Sequence, residues 1–242
     1  MTVLSVNVNK IALLRNSRGR DYPSVLGFVE KVINLGVKGI TVHPRPDERH
    51  ITRRDVHEIS EFLKGKPDIE FNIEGYPSDE FLELVIEANP AQCTLVPDKP
   101  GQLTSDHGWD VSANRDQLQM ALTRLRDKEI RSCLFIDADP QLIAEVPTVN
   151  ADRIELYTEE YASNYGTNEQ YRIFDKYAAA AQKARELGIG INAGHDLDLE
   201  NLARFLEIPD VLEVSIGHAL VVESLDQGVS RVISQYLVIT DS

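Results

Sequence analysis

The 242-residue chain is poor in most of the residue types and patterns that identify a site on sight. It has two cysteines, Cys93 and Cys133, in apolar strand-like segments, with no CxxC pair and no histidine at metal-ligand spacing. This reads as two buried thiols and argues against a disulfide framework or a zinc site. No apolar run approaches the roughly 18 to 20 residues that cross a bilayer. The opening MTVLSVNVNK also lacks the basic-then-apolar pattern of a signal peptide, so the expectation is a cytoplasmic protein with no membrane partner. Positive charge is scarce: 25 Lys and Arg stand against 39 Asp and Glu, a net charge of −14. Nucleic acid would be repelled by that average field. No GxGxxG follows the first strand-like run, which removes the main support for a dinucleotide-binding open sheet.

Hydrophobic residues make up 42% and charged residues 26% of the chain, the proportions of an ordinary globular protein. Short β-rich runs alternate with amphipathic stretches throughout. The pattern predicts eight strands at Leu4–Val8, Gly39–His43, Glu70–Glu74, Gln92–Val96, Arg131–Ile136, Arg153–Tyr157, Gly190–Asn192 and Val211–Ile216. Helical segments are expected at Pro23–Leu35, Thr52–Leu63, Ser78–Ala88, Asn114–Lys128, Asn168–Leu187, Glu200–Leu206 and Ser224–Leu237. Start signals stand at Ser78, at Asn114 and at Asp139 before Pro140. Stop signals stand at Leu35-Gly36, Lys64-Gly65 and Leu187-Gly188. Eight βα repeats without a linker predict one α/β domain over residues 1–242, a closed (β/α)8 TIM barrel, with an open doubly wound sheet as the alternative.

In such a barrel the chemistry sits where strands end. The polar residues at those ends are Asn7 and Asn9, His43 and Arg45, Glu74, Asp137, Asn192 and His195, and Gly217-His218, with Glu155 inside the sixth strand. Four of the six histidines, His43, His50, His195 and His218, fall at or just past these ends. Histidine moves protons near neutral pH, although for any one of them a loop-stabilising hydrogen bond is an equal reading. Glu74 ends a buried strand, where desolvation would make it a usable base; a salt bridge to Arg45 or Lys10 is the structural alternative. The turns IGINAGHD and VSIGHAL place a Gly-His after each of the last two strands, where backbone N–H groups commonly hold phosphate. Residues 97–110 form a long loop with the length of a lid. Residues 1–60 carry ten basic against six acidic residues, a net +4 that leaves −18 for the rest, and this suits a small anionic ligand.

The segments VNVNKIALLRNSRG, GITVHPRPDERHIT, FNIEGYPSDE, CTLVPDKPGQLTSDHGWDV, SCLFIDAD, INAGHDL and IGHAL, in register over nearly the whole chain, resemble the pyridoxine 5-phosphate synthases. The resemblance implies a (β/α)8 barrel assembled as a homo-octamer, with no metal and no organic cofactor. It implies condensation of two small phosphorylated ketones, 1-deoxy-xylulose 5-phosphate and 3-amino-2-oxopropyl phosphate, with release of phosphate and water. It casts His43 and Glu74 as proton acceptors, His195 as proton donor and Glu155 as stabiliser of a charged intermediate. Asn7 and Arg18 would hold the aminoketone phosphate, Arg45, His50 and Thr104 the xylulose phosphate, and Gly217 and His218 the aminoketone-derived phosphate through the backbone. Arg18, Arg45 and His50 would supply the positive charge that two phosphates need. Two departures stand out: Asn9-Lys10 replaces the usual Asp-His pair, and Asp196 replaces a glycine. We count Asn9, Lys10 and Asp196 with the substrate-binding set; Lys10 is expected to contact a substrate hydroxyl or phosphate, or to form a Schiff base. A metal-dependent lyase using His43, Glu74, His195 and His218, and a non-catalytic phosphate-metabolite binder, are the competing readings.

Overall fold

A computed structural model describes residues 1–98, 101–102 and 104–241. Within the expected lid, Lys99, Pro100 and Leu103 lie outside the described residues, as does Ser242 at the end of the expected domain. Eight strands, β1 (Val3–Asn7), β2 (Gly39–Val42), β3 (Glu70–Gly75), β4 (Gln92–Leu95), β5 (Arg131–Ile136), β6 (Arg153–Tyr157), β7 (Gly190–Gly194) and β8 (Val211–Ile216), form a closed parallel barrel in sequence order. β8 pairs back onto β1, Leu4 opposite Val214 and Val6 opposite Ile216, which excludes the open sheet. All eight strands were legible to within two residues, because short β-rich runs bounded by turn residues recur between the helical segments.

The helices are α1 (Asn9–Asn16), α2 (Val25–Asn34), α3 (Arg53–Leu63), α4 (Asp79–Ala88), α5 (Arg115–Arg126), α6 (Pro140–Ile143), α7 (Glu159–Asn164), α8 (Gln170–Glu186), α9 (Leu202–Phe205), α10 (His218–Gln227) and α11 (Val229–Thr240). None is long and apolar enough to cross a membrane. The start signals act through hydrogen bonds: Ser78 accepts from Phe81 N, Asp139 accepts from Gln141 N ahead of Pro140, and Thr52 and Asp55 form a capping box. Asn114 differs. Its side chain donates to Asp110 O at 2.8 Å and caps nothing.

The expected helix Ser224–Leu237 is two helices. Gly228, at φ 83°, breaks it, so α10 begins at His218 directly after β8 and α11 follows as a separate element. Glu200–Leu206 shrinks to the single turn of α9. Segment Asn9–Asn16, not among the expected helices, is helix α1, so Asn9 and Lys10 occupy its first turn. Its weak amphipathicity and uncapped start, after Val8, hide it from a periodicity search.

Inside the barrel, polar side chains replace much of the usual branched aliphatic filling. Ser5 and Thr41 hydroxyls lie 2.7 Å apart, and Thr94 donates to Asn72 at 3.0 Å. Arg131 donates to Gln92 at 2.9 Å, and Arg153 donates to Asn192 at 3.1 Å. A polar lumen is affordable only because these groups pair with one another. Its charged members, Glu213 with Arg153 and Glu70 with Arg131, lie beneath the strand ends that carry the site.

Candidate active site

A cavity of about 850 Å³ opens at the C-terminal end of the strands. Of the fourteen residues singled out for catalysis or binding, Asn7, Asn9, Lys10, His43, Arg45, His50, Glu74, Thr104, Glu155, His195, Asp196, Gly217 and His218 all line it. Arg18 does not. It is exposed in the turn after α1, and its neighbour Arg15 is the one that points inward, onto buried Asp55.

The His43 amide, just past β2, donates to Asn9 Oδ1 at 2.9 Å, and Asn7 Oδ1 accepts from Asn9 N at 3.0 Å. The first turn of α1 therefore fixes the exit of β2, a role for Asn9 that the sequence did not reveal. His43 Nδ1 lies 4.0 Å from Glu74 Oε2. That spacing would suit an ion pair, but both groups favour their neutral forms. Burial, aided by Arg45, His50 and Arg49, holds His43 well below the usual histidine value. Burial, aided by Glu213 and Asp98 and opposed by Arg45, pushes Glu74 up to about 8. At neutral pH both therefore favour the uncharged form, His43 as the neutral ring and Glu74 as the protonated carboxyl.

Neither alternative salt bridge for Glu74 forms. Arg45 instead donates to Asp98 Oδ2 at 2.5 Å, which Ser105 also contacts at 2.9 Å, and to Gln102 O at 3.3 Å. Arg45 thereby ties the exit of β2 to the described part of the fourth loop, whose Thr104 hydroxyl reaches His195 Nε2 at 3.1 Å. His50 corrects an expectation: burial first, then Arg45, Arg49 and Lys10, lowers it to about 4. It is neutral and supplies no positive charge. Its Nδ1 accepts from Ile51 N at 2.9 Å, which leaves Nε2–H as a donor.

Glu155 sits in the middle of β6, 3% exposed, with Oε2 unpartnered among the described residues. Burial, then Glu74 and Glu213, keep its carboxyl well above the ordinary range. The space for it comes from Gly194, where a Cβ would stand 2.2 Å from Glu155 Oε1. His195 follows, its ring edge-on to Tyr157 at 5.0 Å and its Nδ1 2.5 Å from Asp196 Oδ2. Asp196 lines the cavity and turns toward the ring. Gly217 and His218 form the start of α10, and a Cβ on Gly217 would crowd Asn7 Cβ at 3.0 Å. With α1 beginning at Asn9, two helix N-termini face the cavity, a geometry that favours anions.

Asp137 takes the structural role, accepting from Gly108 N at 3.2 Å to anchor the end of the fourth loop. Both cysteines are buried and free, and burial pushes their thiols up. Among the described residues no three of His, Cys, Asp and Glu come together as a metal site, so the set named for a metal-dependent lyase does not converge as ligands. The sequence reading missed Tyr157 and Ser105, which line the cavity, and Glu213, whose charge reaches both Glu74 and Glu155. Tyr157 ends a strand two residues after Glu155, and Glu213 is a charge inside the apolar run VLEVSI; both signals were visible.

The chain matches the family described as pyridoxal phosphate biosynthesis protein PdxJ over residues 4–242. A protein of Bacteroides thetaiotaomicron named pyridoxine 5′-phosphate synthase is 50% identical over 237 residues, covering 98% of each chain. A Leptospira biflexa protein of the same name is 47% identical over 250 residues, covering 98% of this chain and 96% of its own. Among solved structures, a thiamine phosphate pyrophosphorylase from Pyrococcus furiosus superposes with a TM-score of 0.61 at 11% identity, over 99% of this chain and 95% of that one. A protein from Aquifex aeolicus superposes with a TM-score of 0.63 at 15% identity, over 97% and 90%. At such identities these two show the barrel alone.

Proposed function

The chain belongs to the PdxJ family of pyridoxal phosphate biosynthesis proteins and is an enzyme that makes pyridoxine 5′-phosphate, and we propose that it does so by condensing 1-deoxy-xylulose 5-phosphate with 3-amino-2-oxopropyl phosphate in the cavity between His43 and His195. The observation that carries this reading is convergence. His43, Glu74 and His195 at the ends of β2, β3 and β7 and Glu155 within β6 share one cavity with two helix N-termini.

The reaction joins amine to ketone as a Schiff base, expels water, closes a carbon–carbon bond and aromatises, with loss of inorganic phosphate. Each stage moves protons, so several acid/base groups are needed. His43, neutral and desolvated, takes the first proton. Glu74 and Glu155 act as a buried pair that releases and regains protons as charge develops beside them, and Glu155, with an unpartnered oxygen, stabilises a cationic intermediate. His195, at the rim, donates to the departing oxygen.

The amides of Gly217 and His218 at the start of α10 hold one phosphate, with Asn7 alongside. Lys10, Thr104 and the Nε2–H of His50 hold the other. Arg45 contributes its charge once Asp98 releases it. Arg18, exposed in this chain, belongs to the aminoketone phosphate site in the assembled oligomer, for which we propose the homo-octamer of the family, in the cytoplasm. The cavity is large enough for both substrates together.

Incubating the protein with both substrates tests the reading. Appearance of the pyridine absorbance together with equimolar phosphate is expected. Phosphate release without the chromophore, or no turnover at all, refutes it.

A further inference from the structure

The turn after β7 holds two successive non-glycine residues, His195 and Asp196, in the left-handed backbone region, at φ 79° and 57°. A side chain is sterically disfavoured there, and such a conformation persists only where its surroundings impose it. Here they do. The Thr158 hydroxyl donates to the Gly194 carbonyl at 2.8 Å and contacts the His195 carbonyl, and the Thr158 amide reaches Gly194 O at 3.1 Å. Asn201 Nδ2 donates to the Asp196 carbonyl at 3.2 Å. Three consecutive carbonyls are thus tied down. In an extended strand neighbouring side chains point apart; this turn brings them together, with His195 Nδ1 2.5 Å from Asp196 Oδ2. The other ring nitrogen, Nε2, is left facing the cavity beside Thr104 Oγ1 at 3.1 Å.

We propose that Asp196 is a positioning residue for His195: its carboxylate accepts the Nδ1–H and so fixes the tautomer and ring plane that present Nε2 to the substrate. This rests on the reading of His195 as the proton donor at the cavity rim, its Nε2 first taking from the substrate the proton that it later gives to the departing oxygen. An exposed pair of this kind contributes little to stability, so the pinned, strained turn is not accounted for by fold energy; orientation accounts for it. The carboxylate is ionised: the hydrogen bond from His195, against partial desolvation and with help from the charges of His195, His218 and Lys10, holds it below the ordinary aspartate value. The other groups facing the pair are Tyr157 of β6, Glu159 of α7 and Asp106 of the fourth loop, all at the same cavity.

The test compares full-length Asp196→Asn and Asp196→Gly with the native enzyme. Glycine relieves the positive φ, so Asp196→Gly keeps or gains thermal stability, and any lost activity is not a folding failure. Expected are a roughly tenfold fall in kcat with little change in KM, smaller than the ~10⁴ for a buried triad aspartate because Asp196 meets water. In ¹⁵N-histidine NMR without substrates, the His195 signal, assigned by its loss in His195→Gln, changes from the Nδ1–H tautomer to a mixture. An unchanged tautomer, or an unchanged kcat in both variants, overturns the proposal. If the native protein makes no pyridoxine 5′-phosphate, the functional reading fails while the tautomer result still stands or falls by itself.

Discussion

Replacing Glu213 by Gln ties the polar lumen of the barrel to the chemistry above it. Glu213 is 2% exposed in β8, its Oε1 has no partner among the described residues, and its Oε2 lies 3.8 Å from Arg153. Burial first, then Glu70, raise it from 4.5 to about 7, with Arg153 and Arg131 opposing. A carboxyl raised on folding contributes stability that is complete below the unfolded value and lost as pH rises through the folded one. The window is therefore pH 4.5 to about 7. At about 1.4 kcal/mol per pH unit, the native protein loses up to about 3 kcal/mol across it that the glutamine variant does not. Urea unfolding of both proteins at pH 5 and pH 8.5 reads this out. The variant is expected to gain about 2 to 3 kcal/mol relative to the native protein between those two conditions. Glu213 also helps to hold Glu74 high. If Glu74 must ionise to act, the acidic limb of kcat/KM moves to lower pH in the variant. Parallel stability curves for the two proteins, or an acidic limb that stays fixed or moves upward, refute the reasoning.

Three further outcomes are expected. Arg45→Met strands the buried Asp98 carboxylate and costs about 3 kcal/mol in urea unfolding, most of it restored in the double variant Arg45→Met/Asp98→Leu, whose KM for the xylulose phosphate stays high. Gly194→Ala drives a methyl against Glu155 Oε1, the mobile end of a side chain, so the protein folds but kcat falls by about a hundredfold through misplacement of the carboxyl; a fall below threefold would show that Glu155 has no fixed role. His50, held at about 4, shows no NMR titration between pH 5.5 and 8, and its contribution to stability is present above 6.5 and lost as pH falls toward 4; a midpoint near 6.5 would contradict its burial among cations.

The sequence by itself determined the barrel, because period-2 and period-3.6 patterns, caps and glycine stops are local. Strand order then follows from the requirement that successive parallel strands be joined by right-handed crossovers. It also determined which side chains reach the mouth, since a residue at the end of a barrel strand faces the same cavity as the ends of the other seven. Ionisation and pairing were decided by tertiary structure. Arg45 meets Asp98, 53 positions away, and not Glu74. His50 is neutral because of its burial and then the cations packed around it, and Glu74 holds a proton because of its burial, to which Glu213 of β8 adds its charge. Arg18 stays outside while Arg15 turns in, and Asp196 reaches back to His195 because Thr158 and Asn201 impose a left-handed turn. Each of these depends on distance and desolvation between residues remote in the chain, quantities that exist only once the chain has closed on itself.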